Sequence, residues 1–201
     1  MHQIDSKRDL RAKLIRARQA MSEADRAAAA RSLRDALLIL PEVDMAASVA
    51  AYVSIGTEPQ TRGLVFALWK RGAYVLLPKL LPGGDLDWAT YEGPDSLTPG
   101  RFGLLEPTAP ARGVDAVRAA DVVIVPALAV DRTGLRLGRG GGSYDRVLAR
   151  LGPAILSVVP VYDSEVLDTL PREPHDQRVR AVATPARGVV RFVGGAGKET
   201  S

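Results

Sequence analysis

DVVIVPALAVDRTGLRLGRGGGSYDR, residues 121 to 146, is the stretch from which the fold and the function of this chain can be approached. Its first part, Asp121 to Pro126, is uncharged and β-branched after the aspartate, which predicts a strand buried on both faces. Gly134 to Gly142 follows as a loop with five glycines and two arginines. From Ser143 onward, apolar residues recur with helical spacing. This order aims backbone N–H groups and the positive end of a helix dipole at one point, which suits a phosphate.

The glycines in this loop need a physical reason, because ordering three in a row, Gly140 to Gly142, costs conformational entropy. Arg139 beside them can place a forked guanidinium on phosphate oxygens. The loop has no Lys for a P-loop, and Ser143 stands where the dinucleotide fingerprint needs its third glycine. A flexible surface loop or a sharp strand-to-helix turn is the alternative. The flanking strand and the arginines favour an anion site.

Composition limits the class of protein. Hydrophobic residues make up 46% of the chain and charged residues 25%, which is typical of a globular domain. The absence of cysteine excludes a disulfide framework, a thiolate nucleophile and cysteine-ligated zinc, and it fits a reducing cytoplasm. We expect neither a secretory signal nor a membrane span, since the first residues are charged and no apolar run approaches about 20 residues. The net charge of +4 suits nucleic acid, membrane surfaces and small anions alike.

The remaining chain predicts alternating helices and strands. Ala47 to Val53, Thr61 to Arg71 and Ala73 to Leu77 indicate a strand, a helix and a strand, a βαβ unit with parallel strands. Further strands are predicted at 85–91, 154–159, 179–184 and 189–193, and further helices at 7–19 and 22–40. We therefore expect an α/β fold, a three-layer Rossmann-like domain with a mostly parallel central sheet and helices on both faces. A single domain is predicted over residues 1–194 and a disordered tail over 195–201.

A long segment rich in Pro and Gly, Glu92 to Pro110, is predicted to be irregular, and such loops are often functional. Phe102 within it and Trp88 before it could lie against a ligand ring. A buried core position is the more typical place for both aromatic side chains.

The central stretch resembles the signature of the 5-formyltetrahydrofolate cyclo-ligase family, also called 5,10-methenyltetrahydrofolate synthetases. That family carries Pro-x-Leu-Ala-hydrophobic-Asp and then Gly-x-Arg-Leu-Gly-x-Gly-x-Gly-Tyr-Tyr-Asp-Arg. The corresponding segments here are PALAVD (Pro126 to Asp131) and GLRLGRGGGSYDR (Gly134 to Arg146). One position departs, because Ser143 replaces the first of the two tyrosines. Other family landmarks follow in order, including GRFGLLEP (Gly100 to Pro107), so the resemblance covers nearly the whole chain.

The resemblance implies an ATP site. Lys7 and Arg11 are four residues apart on a predicted helix and match a Lys-x-x-x-Arg pair that contributes to the family's ATP site. Without the resemblance they are typical of a solvated basic face. The residues expected to bind ATP are Lys7, Arg11, Arg136, Leu137, Gly138, Arg139, Gly140, Gly141, Gly142, Ser143 and Tyr144.

The resemblance also implies a folate site and a catalytic arginine. Glu58 lies in the loop after the first predicted strand, where the family has a glutamate that binds the folate. A loop glutamate taken alone is usually exposed surface. The residues expected to contact the substrate are Glu58, Arg139, Gly140, Gly141, Gly142 and Ser143. Arg139 is the expected catalytic residue.

Two aspartates are expected to hold Mg²⁺. Asp145 lies at the far end of the loop and could bridge a cation to phosphates, although an acid in a first helical turn also favours the helix dipole. His175 and Asp176 resemble a His-Asp pair of the family whose aspartate belongs to the magnesium site. A lone pair of this kind is otherwise a turn or core feature, and Arg180 stands where the family often has a further aspartate.

The resemblance implies an ATP- and Mg²⁺-dependent cyclo-ligase of one-carbon metabolism. It would convert 5-formyltetrahydrofolate into 5,10-methenyltetrahydrofolate, releasing ADP and phosphate after phosphorylation of the formyl oxygen. We expect a cytoplasmic enzyme whose partners are the folate and ATP, without nucleic acid, membrane or an obligate protein partner. Two alternatives stay open: a sugar-phosphate or CoA-handling α/β enzyme, and a basic RNA-binding protein, although only 5% of residues are aromatic.

Overall fold

The computed structural model of the chain describes residues 6–192. The helices are α1 Lys7–Ala20, α2 Glu23–Leu38, α3 Pro41–Asp44, α4 Arg62–Lys70 and α5 Ser143–Arg150. The strands are β1 Ser48–Ala50, β2 Tyr74–Leu80, β3 Leu86–Thr90, β4 Leu97–Pro99, β5 Leu105–Pro107, β6 Val122–Ile124, β7 Ala129–Asp131, β8 Arg136–Leu137, β9 Leu156–Pro160, β10 Val166–Leu167, β11 Ala181–Thr184 and β12 Gly188–Arg191. The predicted tail over 195–201 and the last residue of the strand predicted at 189–193 lie outside this range.

A seven-stranded sheet forms the centre, in the order β12-β11-β9-β6-β1-β2-β3. Its five inner strands are parallel to one another, while the edge strands β3 and β12 pair antiparallel with β2 and β11. Val122, Val123 and Ile124 of the middle strand are fully buried, as expected for a parallel strand covered on both faces. The predicted mostly parallel sheet is confirmed.

Helices cover both faces of this sheet. Alternate strand residues point to opposite faces, so Val49 packs with α2, α3 and α4 while its neighbour Ala50 packs with α5 and a 3₁₀ helix at Val114–Ala119. The Ser22 hydroxyl accepts a hydrogen bond from the Asp25 N–H at 3.0 Å and caps α2, as its sequence predicts. The mixed α/β fold with flanking helices is thereby confirmed.

One prediction about the central stretch is wrong, because Gly134 to Gly142 is not a single loop. Its residues Arg136 and Leu137 form β8, which pairs antiparallel with β7, and β10 pairs parallel with β7 on the other side. The Asp131 carboxylate fixes the hairpin turn by accepting backbone N–H groups of Thr133, Leu135 and Leu170. The hairpin places only residues 138–142, hereafter the glycine loop, between β8 and α5.

The two aromatic residues have different outcomes. Trp88 is fully buried in the core, as predicted, whereas Phe102 is 76% exposed, so the core prediction for Phe102 is wrong. Phe102 lies in a tight turn at φ +57°, a left-handed conformation that only a few per cent of non-glycine residues adopt. The turn is preceded by Gly100, where an added Cβ would lie 2.7 Å from the Glu106 carboxyl carbon. The Phe102 ring instead lines a cavity at the carboxyl ends of the parallel strands.

Candidate functional site

A cavity of about 1000 Å³ opens at the carboxyl ends of the parallel strands. Its lining comes from residues that follow β1, the last residues of β2, the segment after β6, the glycine loop, the start of α1 and four residues near the carboxyl end, Glu173, His175, Asp176 and Gln177. Ligands of open α/β sheets collect at this edge, where the strand order reverses. All residues predicted from the sequence to bind ATP, folate or magnesium line this one cavity.

The glycine loop presents backbone groups to the cavity. Gly140 and Gly142 have φ of +106° and +67°, conformations that side chains rarely adopt. Gly142 is the N-cap of α5, and within residues 6–192 no side chain caps this helix. The N–H groups of the first turn of α5 are therefore available to an anion. This is the arrangement that the sequence predicts, reached through the β7–β8 hairpin rather than directly from β6.

Ser143, which departs from the family pattern, has a contact of its own. Its hydroxyl donates to the Gly84 carbonyl oxygen at 2.5 Å, and Gly84 lies in the turn between β2 and β3. Arg146 and Arg150 of the same helix also hold this turn, through the Gly83 carbonyl and the Asp85 carboxylate. The small Ser143 side chain thus ties the start of α5 to the neighbouring 81–85 turn.

Glu58 and Arg139 meet in the middle of the cavity. Arg139 Nε donates to Glu58 Oε1 at 3.0 Å, and the Ile55 N–H donates to Glu58 Oε2 at 2.9 Å. Glu58 is 7% exposed, whereas half of the Arg139 side chain is exposed. Each residue can therefore exchange the other for a ligand that enters the cavity.

Two tyrosines lie beside this pair. Tyr52 follows β1, and Tyr144 belongs to the first turn of α5. Burial, reinforced by the charge of Glu58, raises the pKa of both phenols, so both stay protonated at neutral pH. The Tyr144 hydroxyl is buried without a hydrogen-bond partner among the described residues, which leaves it free to bind a ligand. Tyr144 is predicted from the sequence as a site residue, whereas Tyr52 is not, because it lies in an apolar run that predicts only a strand.

Lys7 and Arg11 of α1 form the opposite wall. Lys7 Nζ donates to Asp176 Oδ2 at 2.7 Å and to Glu173 Oε2 at 2.8 Å. Partial burial opposes the charge of Lys7, but these hydrogen bonds outweigh it and raise the Lys7 pKa. Arg11 Nε donates to the Gly138 carbonyl oxygen at 2.9 Å. The predicted Lys-x-x-x-Arg pair therefore lies directly against the glycine loop.

The two predicted metal-binding aspartates lie on this side of the cavity in different settings. Asp176 forms a cluster with Glu173 and His175 whose potential ligand atoms lie within 4.8 Å of one another. Asp145 Oδ1 accepts from Arg136 Nη1 at 2.8 Å and from the Gln177 N–H at 3.0 Å. The carboxylates suit a hard cation such as Mg²⁺, and the Lys7 ammonium bound to Asp176 shows that a positive charge is favoured there.

A buried ion pair beneath the cavity was missed by sequence reasoning. Arg18 is 2% exposed and Glu165 is 3% exposed; they form two hydrogen bonds, of 2.6 and 2.9 Å. Arg18 also donates to the Ala127 carbonyl oxygen, and Glu165 accepts from the Tyr162 N–H. The Tyr162 hydroxyl in turn donates to the Thr57 carbonyl oxygen, next to Glu58. The only signal in the sequence is that Arg18 lies one helical turn after buried Leu14.

None of the helices between residues 6 and 192 has both the length and the apolar character that a membrane span needs.

Known proteins are similar to this chain in sequence and in fold. The model of the 5-formyltetrahydrofolate cyclo-ligase family matches residues 3–185. A 5-formyltetrahydrofolate cyclo-ligase of Mycolicibacterium smegmatis is 42% identical over 190 residues, covering 92% of this chain and 96% of that protein. The Escherichia coli K12 protein of the same name is 35% identical over 154 residues, covering 75% of this chain and 85% of that protein.

Solved structures give the same result. The NMR structure of Aquifex aeolicus 5,10-methenyltetrahydrofolate synthetase has a TM-score of 0.82 and 30% identity, and the match covers 96% of both chains. A 5,10-methenyltetrahydrofolate synthetase from Mycoplasma pneumoniae has a TM-score of 0.70 at 18% identity, over 89% of this chain and 98% of that one. The second likeness shows the shared fold alone.

Proposed function

The chain belongs to the 5-formyltetrahydrofolate cyclo-ligase family, and we propose that it carries out the ring closure with ATP and Mg²⁺ in the cavity described above. It is a ligase of folate metabolism that converts 5-formyltetrahydrofolate into 5,10-methenyltetrahydrofolate. The resemblance seen in the sequence is thereby confirmed. Family membership decides against the two alternatives, the sugar-phosphate or CoA-handling enzyme and the RNA-binding protein.

One observation carries the proposed division of the cavity, the contact between Glu58 and Arg139 where two unlike walls meet. One wall follows β1 and β2 and is largely apolar; it includes Tyr52, Val53, Ile55, Pro78, Leu80, Leu86, Leu104 and Leu105. The other wall is polar and carries Lys7, Arg11, the glycine loop and residues 173–176. A flat folate ring suits the first wall and a triphosphate suits the second.

The nucleotide side supports ATP through charge and backbone donors. Lys7, Arg11 and the N–H groups around Gly140 to Gly142 converge on one region, as phosphates require. Asp145 and Asp176 are the proposed holders of Mg²⁺, which takes one or two carboxylates and phosphate oxygens. A cation bound there would neutralise charge on the phosphates. These roles are our proposals for the residues named from the sequence.

The folate side supports recognition of the substrate ring. A pterin presents several N–H donors along one edge, and the Glu58 carboxylate is a buried acceptor for such donors. Pairing with a pterin would occupy the oxygen that now accepts from Arg139. The ring would therefore release the Arg139 guanidinium, leaving it free to turn towards the N–H groups of Gly140 to Gly142.

Arg139 then has a role in the chemistry. The formyl oxygen is a poor leaving group, so it first takes the γ-phosphoryl group of ATP, and ADP departs. Nitrogen 10 attacks the activated formyl carbon and loses its proton, while the C–O bond breaks and phosphate leaves. Negative charge on the transferring group is what a guanidinium neutralises best. Positioning and charge neutralisation are the main contributions of a protein to phosphoryl transfer.

The proposal is tested by mixing the purified protein with 5-formyltetrahydrofolate, ATP and Mg²⁺ and following the absorbance of the methenyl product. One ADP should be released for each methenyl group formed, and omission of either ATP or Mg²⁺ should stop the reaction. Product formation without ATP would contradict the proposed role of the polar wall. The cytoplasmic location, the limits of the domain and the lack of nucleic-acid, membrane or protein partners stay predictions.

A further inference from the structure

The charges that line the cavity are unevenly compensated. Three of its cationic side chains lie on carboxylates, in the pairs Lys7–Asp176, Arg136–Asp145 and Arg139–Glu58. Among residues 6–192, the other two lining arginines, Arg11 and Arg146, hydrogen-bond only to backbone carbonyl oxygens. Each of these two guanidinium groups lacks a carboxylate partner among the described residues, so each can bind an anionic group of a ligand.

The two guanidinium groups contact opposite ends of the glycine loop, Arg11 at the Gly138 carbonyl oxygen and Arg146 at the Gly141 carbonyl oxygen. A Cβ added at Gly140 would lie 3.5 Å from Arg11 Cζ, whereas a Cβ added at Gly142 would lie 3.3 Å from Arg146 Nη1. Arg11 belongs to α1 and shares its side with Lys7. Arg146 reaches the other way, towards the 81–85 turn. An anion bound by Arg146 is therefore not the one bound by Arg11 and Lys7.

The contacts of Arg146 are weak enough to exchange. Nη1 donates to the Gly141 carbonyl oxygen at 3.3 Å and Nη2 to the Gly83 carbonyl oxygen at 3.2 Å. A guanidinium has five N–H donors in a planar fork, so several stay available. The nearby Asp85 carboxylate is engaged by Arg150 at 2.9 and 2.5 Å through both of its oxygens. Asp85 is thus already neutralised and leaves Arg146 to another acid.

Arg146 shares the cavity lining with apolar residues. Leu80 and Leu86 flank the 81–85 turn, and Ala149 lies three residues further along α5; all three line the cavity. Arg146 is partly exposed, so it lies where this apolar wall reaches solvent. Glu58 lies on the same wall, in the loop after the neighbouring strand β1. Along this wall the cavity presents the Glu58 carboxylate as a hydrogen-bond acceptor, an apolar surface, and the Arg146 guanidinium at the rim.

A reduced folate presents the complementary sequence of groups. Its pterin carries N–H donors, its p-aminobenzoyl ring is apolar, and its glutamate tail ends in carboxylates that must reach solvent because further glutamates extend it. We infer that Arg146 binds a carboxylate of this glutamate tail. The inference rests on the proposed function, since it names the third contact of the same substrate.

The test compares two substrates, 5-formyltetrahydrofolate and the same compound without its glutamate, 5-formyltetrahydropteroate. The measured quantity is the ratio of their KM values, in which any general damage to the enzyme cancels. Arg146→Gln should reduce the preference for the glutamate-bearing substrate about tenfold, as expected for loss of a charge-assisted hydrogen bond at a partly exposed site. Equilibrium binding of both compounds without ATP should give the same ratio.

Arg150→Gln is the matched control, because Arg150 is one turn further along α5 and holds the same turn through Asp85. This variant should keep the wild-type ratio. The inference is overturned if Arg146→Gln keeps the ratio as well, or if Arg150→Gln lowers it equally, which would indicate a structural effect of the turn. A KM for ATP that rises in Arg146→Gln while the ratio holds would assign Arg146 to phosphate instead. A wild-type protein that forms no methenyl product from either substrate would contradict the proposed function, a distinct outcome.

Discussion

Two arginine–glutamate pairs in this protein make the same contact in opposite surroundings. Arg18 Nε lies 2.6 Å from Glu165 Oε1, and Arg139 Nε lies 3.0 Å from Glu58 Oε1. The first pair is sealed, with both side chains at most 3% exposed, whereas half of the Arg139 side chain is exposed in the cavity. The exposure of the arginine separates the pairs, and so does the number of hydrogen bonds, two from Arg18 and one from Arg139.

The difference in exposure leads us to propose different roles for the two pairs. Arg18 donates to Glu165 and to the Ala127 carbonyl oxygen, and Glu165 also accepts from the Tyr162 N–H, so neither can exchange its partner without leaving a charge buried. Burial raises the pKa of Glu165 even beside Arg18, which shows that desolvation dominates there. Arg139 is half exposed and can exchange Glu58 for a ligand, provided that a ligand donor replaces it on the buried Glu58 carboxylate. We therefore propose that Arg139 and Glu58 serve ligand binding and that Arg18 and Glu165 serve the fold.

The largest expected effect comes from the cavity pair. Arg139→Ala should lower the rate of methenyl formation about 10³- to 10⁵-fold, because arginines that neutralise a transferring phosphoryl group have effects of this size. Its melting temperature should change little, since surface substitutions alter stability by about half a kcal/mol. The exposed Arg31→Ala in α2 is the control for loss of one positive charge. Activity within about threefold of wild type would remove Arg139 from the phosphoryl-transfer step.

The sealed pair should show the reverse pattern. Arg18→Met should lower the free energy of unfolding by about 3–5 kcal/mol, because Glu165 would be left buried without its counter-charge. The double variant Arg18→Met, Glu165→Leu should recover most of this loss, since apolar residues of similar size often replace a buried pair without cost. Urea unfolding followed by circular dichroism measures both. A single variant within about 1 kcal/mol of wild type, the range of exposed pairs, would contradict the distinction drawn here.

Glu58→Gln should separate the two ligands. We expect folate affinity to fall about tenfold, because the amide is a weaker acceptor for the pterin N–H groups than a carboxylate is. ATP affinity should stay equal or rise slightly, since Arg139 is no longer held by a negative charge. Calorimetric titration of each ligand alone measures both constants. Weaker ATP binding with unchanged folate binding would move Glu58 out of the folate side.

The smallest expected effect concerns an intermediate case, the half-buried pair of Asp85 and Arg150. The hydrogen bond from Arg150 lowers the pKa of Asp85 below its usual 3.8. Such a carboxyl contributes stability above pH 3.8 that is lost as the pH falls through its lowered pKa. Asp85→Asn should therefore cost at most about 1 kcal/mol at pH 7, and the difference from wild type should shrink below pH 3.8. A difference that grows in acid would show the opposite sign of the shift.

Much of the fold and of the site could be predicted from local sequence. Val122, Val123 and Ile124 are uncharged and β-branched, so their burial on both faces can be predicted from residue type alone. Gly140 and Gly142 adopt the positive φ values that made a glycine-rich anion site plausible. The resemblance then supplied Glu58 and Lys7, which the fold brings to the same cavity although no local pattern links them.

The remaining features depend on contacts that local patterns do not encode. The β7–β8 hairpin is hidden in the sequence, because its turn residue Gly134 belongs to the same glycine-rich run as Gly138 to Gly142. Arg18 lies in a helix rich in basic residues, and its partner Glu165 is 147 residues away in sequence. Phe102 is apolar and aromatic, yet its turn holds it at the surface. In each case the structure depends on a contact with a residue distant in sequence or on a local backbone conformation.

The contact of Lys7 with Asp176 has a consequence for the order in which the enzyme becomes active during its synthesis. The two residues are 169 positions apart, and ribosomes add about 5–20 residues each second. The residues of the apolar wall, 52 to 105, leave the ribosome early, but β1 takes its place in the sheet only once β6 is available to pair with it. The polar wall must wait until the segment around Asp176 has left the ribosome and met α1. A nascent chain therefore cannot complete the cavity until its synthesis is nearly finished.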